Sequence, residues 1–198
     1  MANYRELFDA IGRNDVHTLR HSLQCGVDPN WHESSMGITP LYSAVAGDRV
    51  DAARVLLEYG ADPNLRINYR SPVDKRVDRD VVALMFARSK EMVDQLISNG
   101  ADVNAIDSDG ATALIRAASS GKYEVVIALL AAGANTSNET NTGHSALDAA
   151  NAQISRLRDW IVRFPSNGTS AKIEALEQIV FVLQQTDANT KSTESREG

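Results

Sequence analysis

The sequence predicts an all-α fold, a solenoid of about five helix-turn-helix repeats with projecting turns, and three observations predict it. A short phrase is written four times, as Gly26-Val-Asp-Pro-Asn30, Gly60-Ala-Asp-Pro-Asn64, Gly100-Ala-Asp-Val-Asn104 and Gly133-Ala-Asn-Thr136. Its glycines stand 34, 40 and 33 residues apart, the period of a helical repeat array. Each follows apolar residues at helical spacing, such as Val55-Leu56-Leu57 and Leu129-Leu130.

Each glycine is read as closing a helix, because it tolerates the left-handed backbone that would strain a residue with a side chain. Helix starts are marked as well. Thr39 and Thr112 stand where a hydroxyl accepts a bond from an amide of the first helical turn. Pro40 follows Thr39 at the first helical position, where its missing N–H costs nothing.

Thr39-Pro-Leu-Tyr-Ser-Ala44, followed by a second helix and a G-A-D-x-N turn, resembles the ankyrin signature T-P-L-H-x-A over about residues 5 to 150. Aligned on the closing glycines, the first helices carry Leu7, Leu41, Val81, Leu114 and, in a less regular last unit, Leu147. The second helices carry Val16 and Leu19, Ala53 and Leu56, Val93 and Leu96, and Val126 and Leu129. The expected organisation is a single domain over 1–186, with repeats at about 5–30, 31–64, 65–104, 105–137 and 138–186. A disordered tail is expected over 187–198.

Two departures from the pattern stand out. Between Asn64 and Arg79 the connection is six or seven residues longer than its counterparts and carries five basic groups against Asp74 and Asp78. It reads either as a tolerated surface insertion or as a contact loop centred on Tyr69 and Arg70. The helix after it, expected from Val81 to Ala87, lacks the Thr-Pro start and leaves Asp78 or Asp80 as substitute caps. The second departure is an extended C-terminal helical hairpin. Its stripes are Leu147, Ala150, Ile154, Leu157, Ile161 and Phe164, then Ile173, Leu176, Val180 and Leu183, with Pro165 to Ser170 between them. A cap on the open end of the stack is one reading; a docking or dimerisation surface using Trp160 and Phe181, which lie off the stripes, is the other.

Composition narrows the function. A net charge of −6 and a pI near 5.2 argue against nonspecific nucleic-acid binding and suit a basic protein partner. No stretch approaches the roughly 20 apolar residues that span a bilayer, and no signal core is read at the N-terminus. With the single Cys25, these features lead to the expectation of a cytoplasmic chain. Neither a catalytic constellation nor a metal or cofactor site is read. His17 and His21 lack a third ligand, and Asp107-Ser-Asp-Gly110 lacks the rest of a calcium loop. A remote enzymatic reading places Arg70, Arg76 and Asp80 around a pocket near the 66–80 loop.

What the resemblance implies is protein recognition through the tips of the turns and the exposed edge of the first helices. The turn before the second repeat offers Trp31, His32, Glu33 and Met36, with Trp31 foremost because aromatic side chains dominate binding hot spots. Trp31 could instead fold back over the first turn. The first helices present Tyr42, Phe86 and Arg116, with Phe8 and Ile115 beside them. The third turn adds Tyr69 and Arg70, and the fourth adds Ile106, Asp107 and Asp109. The expected activity is to bind a protein and to inhibit or scaffold it, with a bacterial toxin-immunity protein as its most specific form and an adaptor that tethers without inhibiting as the alternative.

Overall fold

The computed structural model describes residues 3–32, 37–70, 77–163 and 167–197, without the side chains of 161, 163, 167, 168 and 189–197. The described residues form α1 (Tyr4–Arg13), α2 (Val16–Gln24), α3 (Pro40–Ala46), α4 (Val50–Glu58), β1 (Ile67–Arg70), β2 (Val77–Val81), a 3-10 turn (Ala83–Phe86), α5 (Lys90–Ser98), α6 (Ala113–Ser120), α7 (Tyr123–Ala131), α8 (Ala146–Arg163) and α9 (Asn167–Glu197). They fall into two compact units, 1–108 and 109–198.

In the first unit each repeat is a pair of antiparallel helical elements, and like elements of successive repeats pack side by side. α1 lies against α3 and α3 against the 3-10 turn, while α2 lies against α4 and α4 against α5. The fully buried Leu7, Ile11, Leu19, Leu56, Leu84, Met92 and Leu96 fill the space between these rows. Burying a side chain of this size contributes about 1.5–3 kcal/mol. Small residues, Ala44, Ala52 and Ala53, are also wholly buried and let the helices approach closely.

The glycine, aspartate and asparagine of the repeated phrase each have a structural role. Gly26, Gly60, Gly100 and Gly133 all take φ of 85–87°, two residues past the end of α2, α4, α5 and α7. The aspartate that follows turns the chain: Asp28, Asp62 and Asp102 accept bonds at 2.8–2.9 Å from the amides of Asn30, Asn64 and Asn104. The asparagine then reaches the next repeat. Asn30 donates to the Gly60 carbonyl and accepts from the Asp62 amide, and Asn64 does the same with Gly100 and Asp102. Backbone groups left unpaired at helix ends are thus satisfied by a neighbouring repeat.

Thr39 and Thr112 cap α3 and α6 as expected, accepting from the Tyr42 and Ile115 amides at 3.1 and 3.3 Å. The third repeat differs from expectation. The insertion is an antiparallel hairpin, with Ile67 opposite Val81, Tyr69 opposite Asp78 and Arg70 opposite Val77, and a bulge between Ile67 and Tyr69. Residues 71–76 lie outside the described residues. Val81 ends a strand and Val82 is extended, so the expected helix shrinks to the 3-10 turn and neither Asp78 nor Asp80 caps it. Asp80 instead takes φ 55° beside the bulge, a conformation a short polar side chain tolerates.

The second unit holds α6 and α7 and the long hairpin of α8 and α9, which pack on each other and on α6 and α7 respectively. Ala150 and Ile154 of α8 and Leu176, Ile179 and Leu183 of α9 are buried, following the expected stripes with Ile179 added. The Ile161 side chain and Phe164 lie outside the described residues. α9 continues as helix to Glu197, past residue 186, where the sequence reading ends the domain. No proline or glycine interrupts it between Gly168 and Gly198.

Candidate functional site

Two clusters of aromatic rings lie along the first elements of the repeats in the first unit. In the nearer one, Tyr4 and Phe8 stand one turn apart on α1, and Trp31 comes from the turn that follows α2. The Trp31 ring stacks on Tyr4 with centroids 4.3 Å apart and planes 20° apart, and meets Phe8 edge-on at 6.0 Å. All three are half-buried. Trp31 therefore packs one face against α1 and keeps part of its surface in solvent. Pairs of this kind are worth about 0.5–1.5 kcal/mol beyond area burial.

In the second cluster the hairpin brings Tyr69 onto α3 and the 3-10 turn. Tyr42 and Tyr69 have centroids 5.0 Å apart, Tyr42 and Phe86 4.8 Å, and Tyr69 and Phe86 5.9 Å. Tyr42 is only 5% exposed and forms the floor, while Tyr69 and Phe86 are half-buried above it. A ring carried by the insertion and a ring carried by the helix after it thus converge on a tyrosine of the preceding repeat.

Backbone contacts hold the hairpin in place. A Cβ on Gly37 would stand 2.2 Å from the Asn68 carbonyl oxygen, and Gly37 has φ 66°, so only glycine lets the preceding turn approach β1 this closely. On the other side the Ser108 amide donates to the Arg79 carbonyl at 3.1 Å. The Arg66 guanidinium donates to the Ile106 carbonyl at 2.7 Å and to the Asp80 carbonyl at 3.2 Å.

The remaining expected positions divide. His32 and Arg70 are exposed, and Ile106 is 48% exposed. Asp109 is exposed and Arg116 half-buried, both in the second unit. Asp107 is 5% exposed, which removes its carboxylate from the surface a partner would touch. Burial likewise makes Tyr42 a support rather than a leading contact. Glu33 and Met36 lie outside the described residues. Tyr4 was missed, although its i,i+4 spacing from Phe8 put both rings on one face of α1.

Elsewhere in the second unit Trp160 and Phe181 are 55% and 63% exposed. Among the described residues no three His, Cys, Asp or Glu side chains are grouped to hold a metal ion, and no helix is long and apolar enough to cross a membrane. Arg70 and Asp80 are exposed on the hairpin, and Arg76 lies outside the described residues.

Comparison with known proteins places this geometry. The family profile described as ankyrin repeats (3 copies) matches residues 81–164, and the single ankyrin repeat profile matches 36–68. The chain belongs to the ankyrin-repeat family. It is 31% identical to the putative ankyrin repeat protein FPV222 of Fowlpox virus over 146 residues, 61% of this chain and 19% of that protein. It is 42% identical to the mouse 2-5A-dependent ribonuclease over 60 residues, 30% of this chain and 8% of the relative. It is 33% identical to human neurogenic locus notch homolog protein 2 over 122 residues, 60% of this chain and 4% of the relative. The chain thus spans under a fifth of each of these proteins. Ankyrin repeats are protein-protein interaction modules of a generally non-enzymatic family, and the T-P-L-Y-S-A and G-A-D-x-N phrases carry that membership here.

Proposed function

We propose that this ankyrin chain binds a protein partner through the two aromatic clusters of its first unit and acts by covering part of that partner's surface. The single observation that carries the reading is the pair of clusters, Tyr4-Phe8-Trp31 and Tyr42-Tyr69-Phe86, whose rings other than the buried Tyr42 are half-exposed. Rings already packed on one another lose little freedom on binding and offer broad apolar area, the combination that makes hot spots. The net charge of −6 favours a partner with a basic surface at long range. Covering such a surface suits an inhibitor, and a toxin-immunity protein is the most specific form of that role. The single, exposed Cys25 suits a reducing compartment, and we assign the chain to the cytoplasm.

Native lysate passed over the immobilised protein and over its Trp31→Ala and Tyr69→Ala variants tests the contact surface. A protein retained by the parent and lost by both variants, each with an unchanged circular dichroism spectrum, is the expected result. Equal retention would refute the aromatic surface. Inhibition is tested separately by coexpressing the chain with the captured protein and measuring whether the latter's activity or toxicity falls. The exposed Trp160 and Phe181 favour one second reading, an adaptor that holds another protein on its C-terminal helices. Activity unchanged on coexpression, with capture intact, would support the adaptor over the inhibitor.

A further inference from the structure

The hairpin has a second face. Alternation along β1 puts Ile67 and Tyr69 on the side of the helices, where Ile67 is buried and Tyr69 joins the aromatic cluster, and puts Asn68 and Arg70 on the other. The register carries this to β2: Asp78, opposite Tyr69, shares the inner side, while Val77, opposite Arg70, and Arg79 share the outer one. Val77 is 46% exposed and both arginines are exposed. Arg70 and Arg79 are thus diagonal neighbours across the pair, with Cβ atoms within about 8 Å of each other. They flank an exposed apolar side chain.

Several other arginines of this unit are engaged. Arg20 pairs with Glu58 and Arg54 with Asp51 and Glu91, while Arg66 and Arg88 donate to backbone carbonyls. The side chains of Arg70 and Arg79 make no ion pair among the described residues. Strand addition is not open to a ligand here, because Gly37 abuts Asn68 on one outer edge and Ser108 donates to Arg79 on the other. Recognition would go through side chains, and two guanidiniums with Val77 between them fit carboxylates spaced by an apolar residue.

We propose that the outer face of the hairpin, Arg70, Val77 and Arg79, docks a short acidic peptide segment of a partner protein. The overall charge of −6 sets the class of ligand. An extended polyanion, a duplex or an anionic membrane, would face the repulsion of the whole chain. A short segment meets only the local face, where the two guanidiniums outnumber the one exposed carboxylate beside them, Asp80, within a screening length of about 8 Å at physiological salt. This rests on the reading that the chain binds protein, but it concerns a surface separate from the aromatic clusters.

The test is fluorescence anisotropy with a labelled peptide carrying about four glutamates interspersed with valines, and the same peptide with glutamines, as probes of charge-assisted bonding. The expected results are tighter binding of the glutamate peptide, weakening as salt rises, and a loss of about tenfold in the Arg70→Gln/Arg79→Gln variant. An Arg5→Gln/Arg13→Gln variant, which removes the same charge from exposed sites on α1, is expected to bind within about twofold of the parent, as distance and screening predict. Equal binding of the two peptides, equal loss in both variants, or tighter binding of anionic vesicles or duplex DNA would overturn the proposal. A Trp31→Ala/Tyr69→Ala variant separates the two surfaces. If it loses the captured partner while the arginine variant changes nothing, only the acidic-segment proposal falls.

Discussion

Thr112 shows how much one hydroxyl fixes. It is 1% exposed, accepts from the Ile115 amide and starts α6. Thr112→Ala should cost about 1 kcal/mol and Thr112→Ser much less, read from urea midpoints, because serine keeps the cap. Two carboxylates make a related prediction in pH. The hydroxyl and then the amide of Thr18 bond Asp15 and hold its carboxyl below the usual value of 3.8, and the hydroxyl and amide of Ser145 do the same for Asp148. A carboxylate whose pKa is depressed in the folded state contributes stability above its unfolded value and loses it as pH falls through the folded one. Asp15→Asn and Asp148→Asn should therefore narrow their difference from the parent as pH drops below 3.8. A constant gap in unfolding midpoints across that range would contradict the assignment. The threonine caps and closing glycines were legible in the sequence because each answers a local backbone need. The phrase's aspartate and asparagine roles were not read, although their fixed spacing from the glycine was the available signal.

At the level of elements, the C-terminal hairpin was legible and the inserted one was not. The stripes on α8 and α9 run at helical period over long stretches, so no competing structure fits them. Leu176→Ala, at a fully buried position on α9 beside Gly121 at the end of α6, should cost about 2–5 kcal/mol in chemical unfolding. Between Asn64 and Arg79 the signal is weaker. Ile67-Asn-Tyr69-Arg70 alternates, but over four residues, and the bulge and Asp80 with its positive φ break the pattern before Val81. Its contacts with Gly37 and Ser108 join distant parts of the chain, which no local pattern encodes. Arg66→Ala removes the bonds to the Ile106 and Asp80 carbonyls. It should speed amide exchange in β1 and β2 while leaving α1 and α2 unchanged. Unchanged exchange in the strands would show that Gly37 and Ser108 hold the hairpin without it.

For the whole molecule, the repeat architecture explains why function must be sought in deviations. Closing glycines, capping threonines and bridging asparagines build the stack, and they would build it for any partner. What belongs to this chain is the set of rings placed along the first unit, together with an insertion that adds Tyr69 on one face and two arginines on the other. Trp31 was legible as a prominent side chain, but not its stacking on Tyr4, which depends on how the turn after α2 returns over α1. Asp107 looked equally suited to contact and is buried. Amide hydrogen exchange of the chain, alone and bound to the protein captured from lysate, is the measurement that tests the central claim most directly. Protection on binding should appear in α1, the turn at Trp31, α3, β1 and the 3-10 turn, which carry the two aromatic clusters. Protection confined to α8 and α9 would contradict the account and move the binding surface to the C-terminal helices.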